Sequence, residues 1–173
     1  MNIIYEIYKK KRKRCLKKIT QASAVCLLDQ SISLVSGIIR FKELNNRVKI
    51  NYEIYGLTDG EHGFHVHELG DLTKGCVGAC GHFNPHNKNH GDRKDKERHV
   101  GDLGNILSKN KIAKGYFYDN VISLDLKNKN CIIGRSIVIH EKKDDLGKGS
   151  NAESLITGNA GKRVGCGVIG ISR

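Results

Sequence analysis

The sequence predicts an all-β fold, an antiparallel sandwich or barrel of eight strands carrying two long loops, and three observations predict it. From residue 21 onward the chain is a series of short apolar or alternating runs broken by Gly and Asn, with 20 Gly and one Pro in the whole sequence. Eight such runs can be marked out. None of them reads as a helix of three turns.

In chain order the expected strands are 22–29, 32–41, 47–55, 63–69, 114–118, 120–126, 131–140 and 163–171. The first two are apolar runs, Val25 to Leu28 and Ile38 to Phe41. The third is the clearest: Val48, Ile50, Tyr52 and Ile54 alternate with Lys49, Asn51 and Glu53, which puts four apolar side chains on one sheet face. In the fourth, Phe64 and Val66 alternate with His65 and His67. The fifth carries three successive aromatics, Tyr116 to Tyr118, and the last three contain Val121 with Ile122, Ile137 with Ile139, and Val168 with Ile169. Two connections, 70–105 and 141–162, are longer than the roughly 12 to 15 residues a compact domain tolerates without a use for them.

A length of 173 residues suits one domain with an arm and excludes a two-domain enzyme with an interdomain cleft. No run approaches the roughly 18 to 20 apolar residues of a bilayer span. The formal charge of +12 raises the question of nucleic acid, and its location bears on the answer. Residues 1–20 hold eight Lys and Arg against Glu6, 8 − 1 = +7, leaving 12 − 7 = +5 for the rest. We read 1–20 as a basic extension and 21–173 as the domain. The arm's basic cluster follows a short apolar stretch where a secretory signal has the reverse order, so the protein is expected in the cytoplasm and not secreted, with nuclear import through the arm as the second location. Missing serines disfavour a mitochondrial presequence. The arm is a solvated tail or a contact for an anionic surface, nucleic acid or import machinery.

Histidine concentrates around the first long loop. His65 and His67, at i and i+2 of a strand, project to one face as half of a metal site. His140 ends another strand, and within the loop His82, His90, His99 and Asp102 offer three nitrogens and an oxygen, the set that suits tetrahedral zinc. Metal bonds also explain how so polar a loop is held. The six cysteines allow 15 complete pairings, among which the residues alone do not choose.

These residues stand in a longer pattern. Gly63-Phe-His-Val-His-Glu68, Gly75-Cys76, His82-Phe-Asn-Pro85, His90-Gly91, Glu97 through Asn105, Val138-Ile-His-Glu141, Asp144 through Gly149, Thr157 through Gly161, Arg163 and Cys166 through Gly170 resemble copper/zinc superoxide dismutase, in order, from about Ala22 to Ile171. The resemblance implies an eight-stranded Greek-key barrel of immunoglobulin-like layout. It implies copper on His65, His67, His82 and His140, and zinc on His82, His90, His99 and Asp102, with His82 bridging and serving as proton shuttle. Asp144 then links His65 to His90. Arg163, Thr157 and Lys142 become the groups that receive the superoxide anion, and Cys76 pairs with Cys166, leaving Cys15, Cys26, Cys80 and Cys131 free. His62 would pack beside the copper strand, and His86 would face solvent.

The resemblance also implies a homodimer through a patch that includes Leu69, Gly70, Ile133, Gly134, Gly170 and Ile171, and loading by a copper chaperone. The chain departs from the pattern in three places. Cys80 adds a thiol two residues before His82, Ala152 stands where an acid is usual, and Ile156 where a lysine is usual. Three other readings are weighed. A dismutase-like copper chaperone would need a Cys-x-x-Cys or Cys-x-Cys, absent here; an inactive homologue would lack a ligand; a two-metal hydrolase would want more carboxylates.

Overall fold

Alternation closes the sheet on itself. In the strand Arg47–Tyr55, Val48, Ile50 and Ile54 are buried while Arg47 and Tyr55 are exposed, so one face lies on a core. The computed structural model describes residues 22–31 and 33–173. Over these residues the strands are β1 (Ser23–Leu28), β2 (Ser36–Leu44), β3 (Arg47–Tyr55), β4 (Gly60–His67), β5 (Thr73–Cys76), β6 (Asp102–Lys109), β7 (Ile112–Asp119), β8 (Ser136–His140) and β9 (Arg163–Ser172). All but β5 form a closed barrel in the order β1-β2-β3-β7-β6-β4-β8-β9, every pairing antiparallel. The non-consecutive neighbours β3–β7 and β4–β8 are the crossovers of a Greek-key arrangement. Closure leaves no open sheet edge.

The barrel has the eight strands expected, but two of its memberships differ. Residues 120–126 are not a strand; they make one isolated bridge, Ser123 to Cys131. Ile122 and Leu124 are buried against the core, as their apolar pattern suggests. Their amides, however, donate to the carboxylates of Asp119 and Glu43, which replace a neighbouring strand. Conversely β6 lies partly inside the expected loop 70–105. Its alternation is inverted at Leu107, which is 61% exposed, and Ser108, which is buried, so the apolar pattern conceals it. The fourth strand begins at Gly60 and ends at His67, and the seventh expected strand shrinks to Ser136–His140. The second long loop contains one helical turn, α1 (Ser154–Thr157). The basic arm, Cys15 and Ile32 lie outside the described residues.

What positions the site is the outer face of β4 and β8. Phe64, Val66, Ile137 and Ile139 point into the main core, and the alternate residues His65, His67, Val138 and His140 point out of the barrel. They are nevertheless buried, because the two long loops fold over them. Phe83 and Val100 plug the first loop into the main core, and Val138, Ala79 and Cys166 form a second small cluster under it. A disulfide from Cys76 to Cys166, Cα atoms 5.5 Å apart, ties that loop to β9.

Candidate metal centre

The strand register assembles the first ligand group. His65 and His67 leave the same face of β4, with ring centroids 6.4 Å apart, and β8 runs alongside so that His140 ends beside them, 4.9 Å from the His65 ring. His82 arrives from the loop through an isolated bridge to His67, its ring 4.1 Å from that of His65. One nitrogen of each ring is held: His67 Nδ1 by the Cys80 carbonyl at 2.8 Å, His140 Nδ1 by the Gly161 carbonyl at 3.1 Å, His82 Nδ1 and His65 Nε2 by carboxylates. The other nitrogen of each, His65 Nδ1, His67 Nε2, His82 Nε2 and His140 Nε2, is buried and has no hydrogen-bond partner among the described residues. Four orphaned imidazole nitrogens in one buried cluster are costly unless something binds them all.

Burial keeps these rings neutral. It pushes His65 down to about 3 and His140 to about 4, and holds His67 and His82 below the usual imidazole range. Neutral imidazole offers a lone pair, so the cluster is in the protonation state that a transition metal requires. The donor set is imidazole alone, which suits copper.

The second group forms around Asp102, the first residue of β6, paired across the sheet with His65. Its Oδ1 meets His82 Nδ1 at 2.9 Å, His90 Nδ1 at 3.0 Å and His99 Nδ1 at 3.2 Å. The His90 contact is close but not aligned as a hydrogen bond, so that nitrogen too is unsatisfied. Three nitrogens and one carboxylate oxygen converge in the tetrahedral donor set of zinc. Although burial favours the carboxylic acid form of Asp102, hydrogen bonds from His82 and His99 and the close approach of His90 hold its carboxyl far below the usual range. Burial likewise opposes charge on His90, but Asp102 and Asp144 override it and raise His90 to about 9. His82 belongs to both groups.

Asp144 lies between the groups. Its Oδ2 meets His65 Nε2 and its Oδ1 meets His90 Nε2, each at 2.8 Å. The main chain of Asp144 is clamped in turn by Asn105, whose side chain donates to the Asp144 carbonyl at 2.9 Å and accepts from its amide at 2.8 Å. Gly158, in the left-handed conformation after α1, makes room for this bridge: a Cβ there would lie 1.9 Å from Asp144 Oδ1 and 2.5 Å from His90 Nε2.

An opening of about 310 Å³ leads to the first group and is lined by His67, His82, His140, Thr157 and Arg163 among others. Arg163 is held by carbonyls of the disulfide-tied loop: Nη1 donates to Cys76 at 2.7 Å, Nη2 to Cys80 at 2.6 Å. Thr157 donates to the carboxylate of Glu153, which also lines the opening. Lys142 does not line it; the Lys142 stem lies against Gly161, which does.

Several participants carry no obvious sequence signal. Asn105 acts through its side chain on the main chain of Asp144, and Cys80 through its own carbonyl, placements that a periodic side-chain pattern does not report. His62 is buried under the cluster, with its ring nitrogens 2.8 Å from the carbonyls of His140 and Thr58. His86 is exposed and contacts Asn130. Cys26 is buried, and burial pushes its thiol up to about 12, while Cys80 is exposed and Cys131 half-buried.

Comparison with known proteins agrees with this geometry. The family profile described as copper/zinc superoxide dismutase matches residues 35–169. The chain is 55% identical over 148 residues to copper-zinc superoxide dismutase A of Xenopus laevis, covering 85% of this chain and 96% of that one. It is 56% identical over 153 residues to the copper-zinc superoxide dismutase of Paramecium bursaria Chlorella virus 1, covering 87% and 79%. Among solved structures, the crystal structure of the clock protein EA4 matches with a TM-score of 0.83 at 45% identity, over 88% of this chain and 96% of that one.

Proposed function

The chain belongs to the copper/zinc superoxide dismutase family, and from that premise we propose how its residues carry out the conversion of two superoxide anions and two protons to oxygen and hydrogen peroxide. Its cofactors are copper and zinc. When bound, copper supplies a one-electron couple and zinc a fixed positive charge. In this reading His65, His67, His82 and His140 hold copper, and His82, His90, His99 and Asp102 hold zinc. The observation that carries it is the convergence of four buried, partnerless imidazole nitrogens on one point, with His82 shared by a second cluster.

Arg163 faces the opening with its guanidinium fixed by three carbonyls, and it orients the incoming anion toward the histidines. Thr157 narrows the opposite wall and helps to exclude larger ligands. Lys142 adds positive field from beyond the lining. The Nε2 atom of His82 takes up and hands on one of the two protons, and its depressed basicity suits release. Asp144 fixes the two rings it touches. The disulfide keeps the carbonyls that hold Arg163 in place.

Residues 21–173 are the dismutase domain in this reading, and 1–20 a separate basic arm. The exposed apolar side chains of Leu69 and Ile171 support a homodimer through that patch, loaded by a copper chaperone in the cytoplasm. Among the described residues no helix is long and apolar enough to cross a membrane. The test of the whole is metal analysis with a superoxide-decay assay: one copper and one zinc per chain, rapid decay, and at least a tenfold slower rate for Arg163→Glu. An unchanged rate in that variant sinks the assigned role of Arg163.

A further inference from the structure

A second cleft, of about 1090 Å³, lies between the loop around residues 86–100 and the neighbouring ends of β3 and β7. None of the metal-ligating residues and no part of the Arg163 opening lines it. Its walls hold six cations, Arg47, Lys88, Arg93, Lys94, Lys96 and Arg98, against Asp95 and Asp119, a balance of 6 − 2 = +4. Arg98 and Asp119 form a buried pair at 2.6 Å and cancel. The other five cations make no ion pair with any carboxylate of the described residues. The cleft's net +4 stands beside +5 for the whole of residues 21–173, so it is a concentrated positive patch on the domain.

The strand register adds aromatics and more charge. On the outward face of the barrel Lys49 stands opposite Tyr118 and also opposite Lys42, a like-charge pair that a sheet does not favour. Beside it Tyr116 is 63% exposed and Tyr118 37% exposed. Their rings meet edge to face at 6.1 Å, with Arg47 4.1 Å above Tyr118 and Lys49 4.4 Å above Tyr116. Two outward tyrosines in a rim of unpaired cations have no role in the barrel's core. Each ring carries a cation over one face and leaves exposed aromatic surface for bases beside charges for phosphates, the combination that binds single strands without sequence preference.

We propose that this cleft binds single-stranded nucleic acid, with phosphates on Arg47, Lys88, Lys94 and Lys96 and bases stacked on Tyr116 and Tyr118. The repulsion between Lys42 and Lys49 is relieved when the strand lies across them. A sulfated polysaccharide or an anionic membrane would use the cations but not the ring faces. A duplex keeps its bases stacked on one another and would leave the tyrosines idle. The proposal is independent of the dismutase reaction and of its metal ligands.

The test is fluorescence anisotropy of a labelled 20-nucleotide thymidine oligomer, titrated with the metal-loaded full chain. It is repeated in a full chain whose Lys9 to Arg14 are neutralised to Gln, which removes most of the arm's charge. In that background Tyr116→Ser with Tyr118→Ser is expected to weaken binding by at least fivefold, a conservative figure for loss of base stacking. Arg47→Glu with Lys94→Glu is expected to weaken it at least tenfold and to flatten the slope of log K against log salt by about 1.4, two single-strand contacts. Heparin binding should fall with the charge reversals and not with the tyrosine changes. All these variants should keep normal superoxide decay, which shows that they fold. Binding lost on neutralising the arm and indifferent to the cleft variants would assign it to the arm and overturn the proposal. Equal indifference of oligomer and heparin to the tyrosines would make the cleft a general polyanion site and overturn it too, as would absence of oligomer binding.

Discussion

Arg163 Nη2 donates to the main-chain carbonyl of Cys80 at 2.6 Å, and the same carbonyl accepts from His67 Nδ1 at 2.8 Å. One peptide oxygen therefore orients both a ring of the first histidine group and the guanidinium at the mouth. Cys80 reaches that position at φ 60°, ψ −149°, a region that is essentially confined to glycine and costs other residues about 1 to 3 kcal/mol. Cys80→Gly should relieve that strain, less about 0.5 to 1 kcal/mol for glycine's extra freedom in the unfolded chain, a net gain of about 1 kcal/mol. Denaturant unfolding checks it, with superoxide decay expected to be unaltered. A less stable Cys80→Gly chain would mean that the thiol itself contributes.

Asn105 binds Asp144 through both main-chain groups, so its effect should appear in zinc affinity before it appears in folding. Asn105→Ala is expected to loosen the carboxylate between His65 and His90 and weaken zinc by about tenfold. Asp144→Asn should do more, toward 100-fold, the usual span for partners that orient ligands. Competition with a chromophoric chelator measures both. Equal zinc affinity in the two variants and the parent would remove Asp144 from the role of linker.

The metal-free chain should show opposed pH limbs. His65 and His140 titrate near 3 and 4 when folded and near 6.5 when unfolded, so the unfolded chain binds more protons below 6.5. Their contribution is complete above 6.5 and is lost as pH falls through that window toward 3. His90, raised to about 9, acts in the other direction: its contribution is complete below 6.5 and is lost as pH rises through 9. Stability of the apoprotein should peak at about pH 6.5, measured by urea unfolding across pH 4 to 10. Zinc should abolish the alkaline limb, because binding at His90 Nδ1 displaces the proton whose gain produces it.

The disulfide closes a sequence separation of 90 residues, and in the chain-entropy view such a link stabilises by roughly 4 to 5 kcal/mol. Reduction should cost a large part of this, and activity should fall as well, since the carbonyls of Cys76, Val77 and Cys80 that hold Arg163 all lie on the released loop. Superoxide decay and thermal unfolding with and without reductant, on metal-loaded protein, test the two effects separately. Loss of stability with full activity would show that the loop holds Arg163 without the link.

Legibility in the sequence followed where side chains act and failed where backbone does. That His65 and His67 share a face could be read because side chains at i and i+2 of a strand project together, and the structure brings His82, His90, His99 and Asp102 together as the donor count suggested. β6 was hidden because Leu107 faces out and Ser108 faces in, an exchange permitted by local packing. Residues 120–126 resembled a strand because Ile122 and Leu124 do enter the core; only the acceptors of their amides, Asp119 and Glu43, betray a loop. Gly158 and the Cys80 carbonyl serve the site through main-chain geometry, and Asn105 through a side chain aimed at main-chain atoms, none of which leaves a periodic trace.

The charges at the mouth give the last prediction. Glu153 lines the opening and accepts from Thr157 at 2.6 Å, so a negative group sits on the path of a negative substrate. Ala152 and Ile156, the positions that depart from the family pattern, are both exposed on the same turn. Near-diffusional capture of a small anion responds to the local field within about a Debye length, roughly 10 Å at 0.1 M salt. Ile156→Lys should therefore raise the second-order rate at low ionic strength by about two- to threefold, and Glu153→Gln should do the same while sparing the Thr157 contact. Both gains should vanish in high salt, which screens the field of these exposed charges. Rates for the two variants across a salt series decide it: gains that persist at high salt would show a local rearrangement of the wall and not steering.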